Sequence, residues 1–504
     1  MRTLIRSLVA LVASFISFSE VWAETQQHPN ILILYADDFG YGDLACQNPN
    51  SKIPTPTLDE LASQGIRFTD GHSSSGICTP SRYALLTGRY HWREFHNIVG
   101  IFGGSKFAAD RLTMPEMLQQ RSYHTAAIGK WHLGWDWDAV RNHELKPMNA
   151  ETKPCYGPNH FDWSKPIPDG PLAHGFDYYF GDDVINFPPF CWIENDRVTE
   201  PPTVMANSEN WKPLREGNWE TRPGPMVQGW DPYKRLPTIT ERAAEYCRQL
   251  KETKKPFFLY VAFPSPHAPI VPAEEFNDTS EAGAYGDYVV QTDDACRQIL
   301  EAIESTGKSD NTLVIFTSDN GPERYAYERD RKFQHWSSAP LRGLKRDIYE
   351  GGHRVPFLVR WPGVIKPESV SSALVSQIDI MATLAEMLDF EIPNGQAEDS
   401  QSFLSVLTGK AASARSEHVH NTYAKKYALR YGQWLLIDHK DGYSKGKNTE
   451  WEQRHSYPED DNQKTELYDL SKDLEQKVNL AQRFPERVEA MQERLAQIRA
   501  NSDH

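Results

Sequence analysis

Residues 30–38 read NILILYADD, a run of large apolar side chains that ends in two adjacent acids. The apolar part shows no alternation with polar residues, so the pattern predicts a strand buried on both faces. Residues 257–263 and 312–317 have the same character. Strands of this kind are typical of a parallel sheet covered by helices on both sides. We therefore predict an α/β fold built around residues 30–38.

The pattern on either side extends this prediction. Amphipathic helices are predicted at 57–64, 114–121 and 285–305, which gives the alternation of strands and helices expected of a large, mixed, mostly parallel sheet sandwiched by helices. After about residue 392 the composition changes, with a hairpin predicted at 427–437 and a closing helix at 485–500. We predict a large domain over residues 24–392 and a smaller C-terminal α+β domain over 393–504.

Polar side chains follow the three strands at the point where each ends. Asp37 and Asp38 follow the first, His267 the second, and Asp319 and Asn320 the third. In open α/β sheets ligands bind outside the carboxyl ends of the strands, so these groups are expected to converge. Hard oxygen donors in this number predict a site for Ca²⁺ or Mg²⁺, and the lack of paired His or Cys ligands argues against zinc or copper there.

Charge and composition exclude several classes of protein. The chain has 504 residues, with 54 Lys and Arg against 69 Asp and Glu, which gives a formal net charge of −15. A protein that binds nucleic acid non-specifically needs a basic surface, so we expect no nucleic-acid partner. The charged fraction of 24% and apolar fraction of 39% are ordinary for a globular protein.

The N-terminus has the pattern of a secretory signal peptide over residues 1–23. Arg2 and Arg6 precede an apolar stretch at 8–18, and Val21 and Ala23 occupy the positions read by a signal peptidase. The stretch is too short to span a bilayer, which takes about 20 residues. No cysteine follows the predicted cleavage point, so no lipid or membrane anchor is expected. The protein is predicted to be exported, to the periplasm or the medium if its source is bacterial.

The six cysteines are scattered and form no disulfide framework. Cys155 and Cys191 are a weak candidate for a disulfide within the aromatic-rich insertion predicted at residues 134–230. Cys247 and Cys296 fall in predicted helices and are expected to be buried thiols.

Cys78 lies in a motif that carries a family resemblance. Residues 76–89 read GICTPSRYALLTGR, and Cys-x-Pro-Ser-Arg followed by Leu-Thr-Gly-Arg resembles the hallmark of the formylglycine-dependent (type I) sulfatases, members of the alkaline-phosphatase superfamily. Further segments resemble the same family in the same order along the chain. These are residues 30–42, 129–134 (GKWHLG), 266–269 (PHAP), 319–321 (DNG), 341–356 and 466–470 with 479–481.

The resemblance implies a nucleophile and a cation. In this family the cysteine, here Cys78, is oxidised by a formylglycine-generating enzyme to an aldehyde, which hydrates to a geminal diol. The divalent cation, Ca²⁺ by preference, would be held by Asp37, Asp38, Asp319, Asn320 and the hydrated residue 78. One diol hydroxyl attacks sulfur, and the other then expels sulfate and restores the aldehyde, a release that an ordinary serine cannot perform.

The resemblance also implies roles for the surrounding cations and histidines. Arg82 would fix the diol, and Lys130 and Lys345 would bind the sulfate oxygens. His132 is expected to act as the base that collapses the hemiacetal, and His267 as the acid that protonates the leaving alcohol, with Lys345 as a helper. Lys130, His267 and Lys345 would therefore also contact the substrate.

The substrate is predicted from the regions where the resemblance is thin. Seven tryptophans lie in or beside the insertion, and the segment 324–336 combines Tyr, Trp, Arg and Lys. Such residues suit a sulfated sugar, although the tryptophans could equally form a small core under a long loop. His91, Arg93 and Arg324 are predicted at the rim of the pocket. We favour a carbohydrate sulfatase over one for small aryl esters.

Two other functions remain open on the sequence alone. One is a phosphomonoesterase or phosphonate hydrolase of the same superfamily, which would more often use Ser or Thr and two zinc ions. The other is an exported glycan-binding protein on a decayed hydrolase scaffold, which is disfavoured because every matched position keeps its residue.

Overall fold

The computed structural model describes residues 28–148, 155–422, 425–459 and 463–500. The predicted signal peptide lies outside these residues. No helix in the described ranges has both the length and the apolar character needed to cross a membrane.

A ten-stranded mixed sheet forms the centre of the molecule. From one edge to the other its strands are Ser369–Ser371, Ile66–Phe68, Phe357–Arg360, Thr312–Ser318, Asn30–Asp37, Phe257–Pro266, His124–Gly129, Tyr178–Gly181, Ile193–Glu194 and Arg197–Val198. The five central strands from Thr312–Ser318 to Tyr178–Gly181 are parallel. The predicted fold class is therefore confirmed.

Alternate residues of Asn30–Asp37 feed two separate cores. Ile31, Ile33 and Tyr35 belong to one buried cluster, whereas Leu32 and Leu34 belong to the other. Both sets are fully buried, which is why the segment is apolar throughout.

Helices cover both faces of this sheet. The residues of Cys78–Thr87, Met114–Gln119 and Ile380–Met387 join the first core, and those of Pro56–Ser63, Arg235–Gln249 and Gly283–Glu304 join the second. The remaining described α-helices are Ala326–Phe333, Glu350–His353, Leu404–Leu407, Thr449–Arg454 and Pro485–Ala500. The predicted helices are confirmed, with end points that differ by at most two residues.

The C-terminal part of the chain forms a four-stranded antiparallel sheet. Its strands are Glu417–Asn421, Tyr427–Tyr431, Trp434–Ile437 and Glu466–Asp469, in that order across the sheet. The predicted hairpin is its middle pair, and the helix Pro485–Ala500 packs on it. Leu404–Leu407 still contributes to the first core of the large sheet, so the packing of the large unit continues beyond residue 392.

The predicted insertion at 134–230 contains structure that the sequence did not reveal. Tyr178–Gly181 and the two strands that follow extend the large sheet, and Val204–Met205 pairs with Pro225–Met226. Strands of two to four residues are too short to show a period. Cys155 and Cys191 are free thiols, so the disulfide considered for them is not formed, while Cys247 and Cys296 are buried thiols as predicted.

Candidate active site

Two of the three predicted strand ends form one buried group of side chains, the acid cluster, which consists of Asp37, Asp38, Asp319 and Asn320. All four are at most 1% exposed. The Asp38 backbone N–H donates to Asp319 Oδ1 at 3.2 Å, and Asn320 Nδ2 donates to Asp38 Oδ1 at 2.7 Å. The register of the parallel strands brings them together, since Ala36 pairs with Ser318 at the ends of neighbouring strands.

Two lysines from other segments neutralise part of this charge. Lys130 Nζ donates to Asp37 Oδ2 at 2.5 Å, and Lys345 Nζ lies 2.6 Å and 2.9 Å from the two carboxylate oxygens of Asp38. Burial alone would raise the pKa of Asp37, but Lys130 and its cationic neighbours hold that pKa well below its usual range. Burial lowers the pKa of Lys345, but Asp38 together with Cys78 and Glu323 raises it above the ordinary value.

The acid cluster offers oxygen atoms that fit a divalent cation. Asp37 Oδ1 and Asn320 Oδ1 are buried without a hydrogen-bond partner in the described part of the chain. Burial and the nearby Asp37 raise the pKa of Asp319 to about 6, which reflects the crowding of negative charge. Carboxylate and amide oxygens are the ligands that Ca²⁺ and Mg²⁺ prefer. His267 lies against the same group, with Nε2 3.7 Å from Asp38 Oδ2.

Cys78 is the first residue of the helix Cys78–Thr87. Pro80 in the first turn and Gly88 as a left-handed C-cap define the ends of this helix. The side chain is only 4% exposed, and burial raises the pKa of its thiol, against the opposing effect of Lys130 and Lys345. Cys78, the predicted nucleophile, is therefore buried within electrostatic reach of the two lysines and of Asp319 and Asp37.

Arg82 follows one turn later on the same helix. Its Nε and Nη2 atoms donate to Asp319 Oδ2 at 3.1 Å and 2.8 Å, and its guanidinium lies over the Tyr35 ring. Because Arg82 is fully buried, these contacts fix the helix to the acid cluster. The arginine thus links the Cys78 segment to the third strand end.

Lys130 and His132 lie in a tight turn after the strand His124–Gly129. Gly129 has a φ of +114°, and a Cβ on it would lie 1.9 Å from the carbonyl oxygen of Ala262. Only glycine fits this approach, which lets the chain deliver Lys130 to Asp37. This explains the glycine at the start of the GKWHLG segment.

His132 and His267 are both buried, with their protons directed by backbone carbonyls. His132 Nε2 donates to the Val99 carbonyl at 3.2 Å, and His132 Nδ1 has no partner among the described residues. His267 Nδ1 donates to the Ala268 carbonyl at 2.5 Å, which leaves Nε2 with the lone pair. Burial lowers the pKa of His132 well below its usual value and that of His267 to about 4.

A cavity of about 770 Å³ opens beside Lys345. Seven cations and four carboxylates line it, so its net character is positive. Arg324, predicted at the rim, is among them and is exposed. The cationic residues are Arg324, Arg331, Lys345, Arg346, Lys445, Lys447 and Arg454.

Several lining residues were not singled out in the sequence. One of them is Glu323, which pairs with Arg346 at 2.6 Å, whereas Tyr325 and Tyr327, which supply aromatic surface, belong to the predicted segment 324–336. Residues 444–449 come from the C-terminal domain, and no local signal in the sequence places them near Lys345. Arg346 could have been found, because it directly follows Lys345.

His91 and Arg93 are engaged within the fold. His91 is 1% exposed and its Nε2 bonds Asn421 Oδ1 at 3.0 Å, while Arg93 forms a bidentate pair with Asp399 at 2.6 Å and 2.7 Å. These contacts favour a structural role for both. Their assignment to the substrate rim stays a prediction that the observed contacts do not support.

Several tryptophans of the insertion are also engaged in contacts within the fold. Trp135 and Trp137 are at most 2% exposed and pack in the first core, with Trp163 beside them. Trp192 stacks on Phe180, and Trp211 packs edge-on against Trp219. None of these residues lines the cavity beside Lys345. The core interpretation is confirmed for Trp135 and Trp137.

The chain is similar to known sulfatases, both by family model and by individual relatives. The family model for sulfatases matches residues 29–390, and the model for the C-terminal region of N-sulphoglucosamine sulphohydrolase matches residues 344–501. An N-acetylgalactosamine-6-O-sulfatase of Bacteroides thetaiotaomicron is 34% identical over 94% of this chain and 94% of its own. Human arylsulfatase A is 31% identical over 90% of this chain and 83% of its own.

Solved structures give the same picture. A sulfatase structure from work on glycosaminoglycan metabolism by Bacteroides thetaiotaomicron superposes with a TM-score of 0.76 at 31% identity, covering 94% of this chain and all of that one. A Pseudoalteromonas sulfatase superposes with a TM-score of 0.68 at 22% identity, over 96% of this chain and 94% of that one, which speaks for the fold alone.

Proposed function

We propose that the substrate of this chain, which belongs to the sulfatase family and hydrolyses sulfuric esters, is a sulfated carbohydrate. The observation that carries the proposal is the position of Lys345. Its ammonium contacts Asp38 in the acid cluster, and the same side chain lines the cationic cavity. A sulfate group bound at Lys345 would therefore leave the rest of a saccharide in that cavity.

The residues present fit the cation and the modified cysteine of the family. Asp37, Asp38, Asp319 and Asn320 would hold Ca²⁺, with Mg²⁺ as the alternative, and residue 78 would complete the set. The cation supplies positive charge beside the sulfate oxygens, and the hydrated formylglycine at position 78 supplies the oxygen nucleophile. The thiol in the structure occupies the position of that oxygen.

The chain's own side chains bind and orient the sulfate. Lys130 and Lys345 pair with different carboxylates of the acid cluster, Asp37 and Asp38. Both would donate to sulfate oxygens and stabilise the charge that accumulates on them during attack. Arg82 would keep residue 78 in line with the acid cluster, because its guanidinium is fixed on Asp319.

Two residues can protonate the leaving alcohol, and the geometry favours Lys345. The bond from His267 Nδ1 to the Ala268 carbonyl leaves Nε2 without a proton in the neutral ring, and the pKa of this histidine is lowered to about 4 by burial. Lys345 would carry its proton, because its acidic neighbours, with Asp38 the strongest, raise its pKa above the usual value despite burial. His267 would then accept or relay a proton, and His132, whose Nδ1 is unpartnered in the described residues, would act as the base of the second step.

The cavity is suited to an anionic saccharide. In the described residues neither Arg324 nor Lys445 forms an ion pair, so both can meet sulfate or carboxylate groups of a substrate. Tyr325 and Tyr327 offer rings for stacking against a sugar. Relatives named for N-acetylgalactosamine-6-sulfate make a glycosaminoglycan saccharide the first substrate to try.

Export and modification complete the proposal. The N-terminal pattern predicts a periplasmic or secreted enzyme, and the Cys78-Thr79-Pro80-Ser81-Arg82 segment predicts a formylglycine-generating enzyme as its partner. No lipid anchor or nucleic-acid partner belongs to the proposal.

One experiment addresses both modification and substrate. The tryptic peptide 68–82 from protein made in the native host is analysed by mass spectrometry for the aldehyde in place of the thiol. The same preparation is assayed on a panel of sulfated saccharides, a small aryl sulfate and a phosphate ester at equal concentration. Turnover of a saccharide above the other two supports the proposal. An unmodified thiol would refute the mechanism, and efficient cleavage of the aryl sulfate alone would refute the substrate class.

A further inference from the structure

A second buried group, distinct from the acid cluster, lies where the short strand Gly71–His72 meets the four-stranded C-terminal sheet. His72, Glu350, His353 and His420, here named the histidine cluster, are fully buried. Each offers one ligand atom, and these atoms all lie within 4.8 Å of one another. The members come from the strand Gly71–His72, the helix Glu350–His353 and the strand Glu417–Asn421.

Hydrogen bonds fix which nitrogens of two histidines face each other. His72 Nε2 donates to Asp70 Oδ1 at 2.8 Å, and His353 Nε2 donates to the Ile348 carbonyl at 3.0 Å. In neutral rings both Nδ1 atoms then carry lone pairs. These two Nδ1 atoms lie 3.2 Å apart, an arrangement that repels unless a positive group lies between them.

We propose that the histidine cluster is a structural zinc site. Two ligands bound at about 2.0–2.1 Å to a tetrahedral Zn²⁺ are separated by roughly 3.3 Å, which matches the spacing of His72 and His353 Nδ1. Three imidazoles and one carboxylate are a donor set that suits zinc and not Ca²⁺, which takes oxygen ligands.

The remaining two ligands are available for the metal. Glu350 Oε2 accepts from Arg354 at 3.0 Å, whereas Oε1 has no partner in the described residues. Neither nitrogen of His420 has a hydrogen-bond partner there either. The His420 ring stacks on His353 with centroids 3.6 Å apart, so it would turn out of this stack to bind the metal and would break no hydrogen bond of its own in doing so.

The surroundings have the features of a supported metal site. Asp70 orients His72, and the Ile348 carbonyl orients His353, which is how ligating histidines are usually fixed. Asp70 also forms ion pairs with Arg354 at 3.2 Å and Arg430 at 3.1 Å. The charges of the two carboxylates, Asp70 and Glu350, and of the two arginines therefore balance before a metal binds. A zinc ion here would join the Cys78 segment, the Lys345 segment and the C-terminal sheet.

The first test measures metal in the full-length protein. It is expressed with zinc and calcium in the medium, purified without chelator and analysed by inductively coupled plasma mass spectrometry. We expect about one zinc per chain, as for a single tetrahedral site. Cobalt added to chelator-treated protein should give the visible absorption of tetrahedral Co²⁺, and zinc should abolish it.

Variants locate the metal. His420→Gln should lower zinc affinity at least about 10-fold, as should Asp70→Asn through loss of the orienting carboxylate. His174→Gln, which alters a buried histidine bonded to Ser105 and Asp169, is the matched control and should keep zinc. Asp37→Asn should also keep zinc, which separates this site from the sulfatase site.

Two outcomes would overturn the proposal. If the wild-type protein binds neither zinc nor cobalt, the His72–His353 pair is held by a shared proton. If His420→Gln retains zinc like the wild type, the metal lies elsewhere. Both readings are independent of sulfatase activity, and the wild-type measurements stand even if a variant does not fold.

Discussion

The acid cluster and the histidine cluster are both buried, charged and close to the Cys78 segment, yet they are built differently. The acid cluster lies at the ends of two neighbouring parallel strands and is joined to a cavity by Lys345, which contacts Asp38 and lines that cavity. The histidine cluster is also fully buried, and none of its members lines that cavity. Among the described residues, the acid cluster is thus joined to the cavity by a lysine and the histidine cluster is not, although the residue types in both can bind metal.

Removal of the nucleophile should separate the two clusters most strongly. Cys78→Ala is expected to lower kcat/KM at least about 10⁴-fold, as loss of a nucleophile does elsewhere. The thiol is small and makes no bond to the histidine cluster, so the melting temperature and zinc content should stay close to wild type. Enzyme assays and calorimetry on the same preparation check this. Cys78→Ser is the matched variant, and steady turnover by it would contradict the need for the diol.

Asp70→Asn should have the converse effect on stability. The substitution removes one of the two buried carboxylates that balance Arg354 and Arg430, and we expect a loss of about 3–5 kcal/mol in the free energy of unfolding. Asp441→Asn, which alters a more exposed pair with Lys426, is the control and should cost about 1 kcal/mol or less. Denaturant unfolding measures both.

The stabilisation that Asp70 contributes should depend on pH. Burial alone would raise the pKa of Asp70, but Arg354, His72 and Arg430 hold it well below its usual range. The stabilisation is therefore complete above the unfolded pKa of about 3.9 and declines as pH falls toward the folded value. The difference between wild type and Asp70→Asn should shrink below about pH 4. A difference that grew with acid would contradict the ion pair.

Lys130→Met tests whether the lysines of the acid cluster act in catalysis. Loss of one group that stabilises developing charge should lower kcat by about 10² to 10³-fold. Lys130→Arg, which keeps the charge with a different shape, should recover part of the rate. If kcat were unchanged and only stability fell, Lys130 would be a structural counter-ion to Asp37.

Arg324→Ala and Lys445→Ala should show the smallest effects, since both side chains are exposed. We expect KM for a sulfated saccharide to rise by up to about 5-fold for each, with little change for a small aryl sulfate. The effect should weaken at high salt. Equal changes for both substrates would mean that the cavity does not select the saccharide.

Contiguous residues made the fold and the acid cluster predictable. The run at 30–38 indicates its own strand and the acids at its end, and the motif around Cys78 identifies a chemistry that needs those acids. The glycine, lysine and histidine of residues 129–132 also stand side by side in the sequence. Each of these signals is local, and the parallel register then brings the strand ends together.

The features that escaped prediction depend on distant residues. His72, His353 and His420 are about 280 and 70 positions apart and belong to no common motif. Residues 444–449 reach the cavity only because the C-terminal sheet docks beside Lys345. The tryptophans of the insertion could not be assigned, because composition does not distinguish a ring in a core from a ring in a pocket.

The contacts between the Cys78 segment and the four-stranded C-terminal sheet have a consequence for how the protein unfolds. Ser75 donates to the Asn421 carbonyl at 2.8 Å, and Ala84 shares a core with Val419 and Leu429. The nucleophile helix is thus packed partly by the C-terminal sheet, and neither unit keeps a complete interior without the other. We expect the chain to unfold in one calorimetric transition. A fragment that ends before residue 417 would lack the C-terminal sheet, and its helix Cys78–Thr87 would therefore not fold.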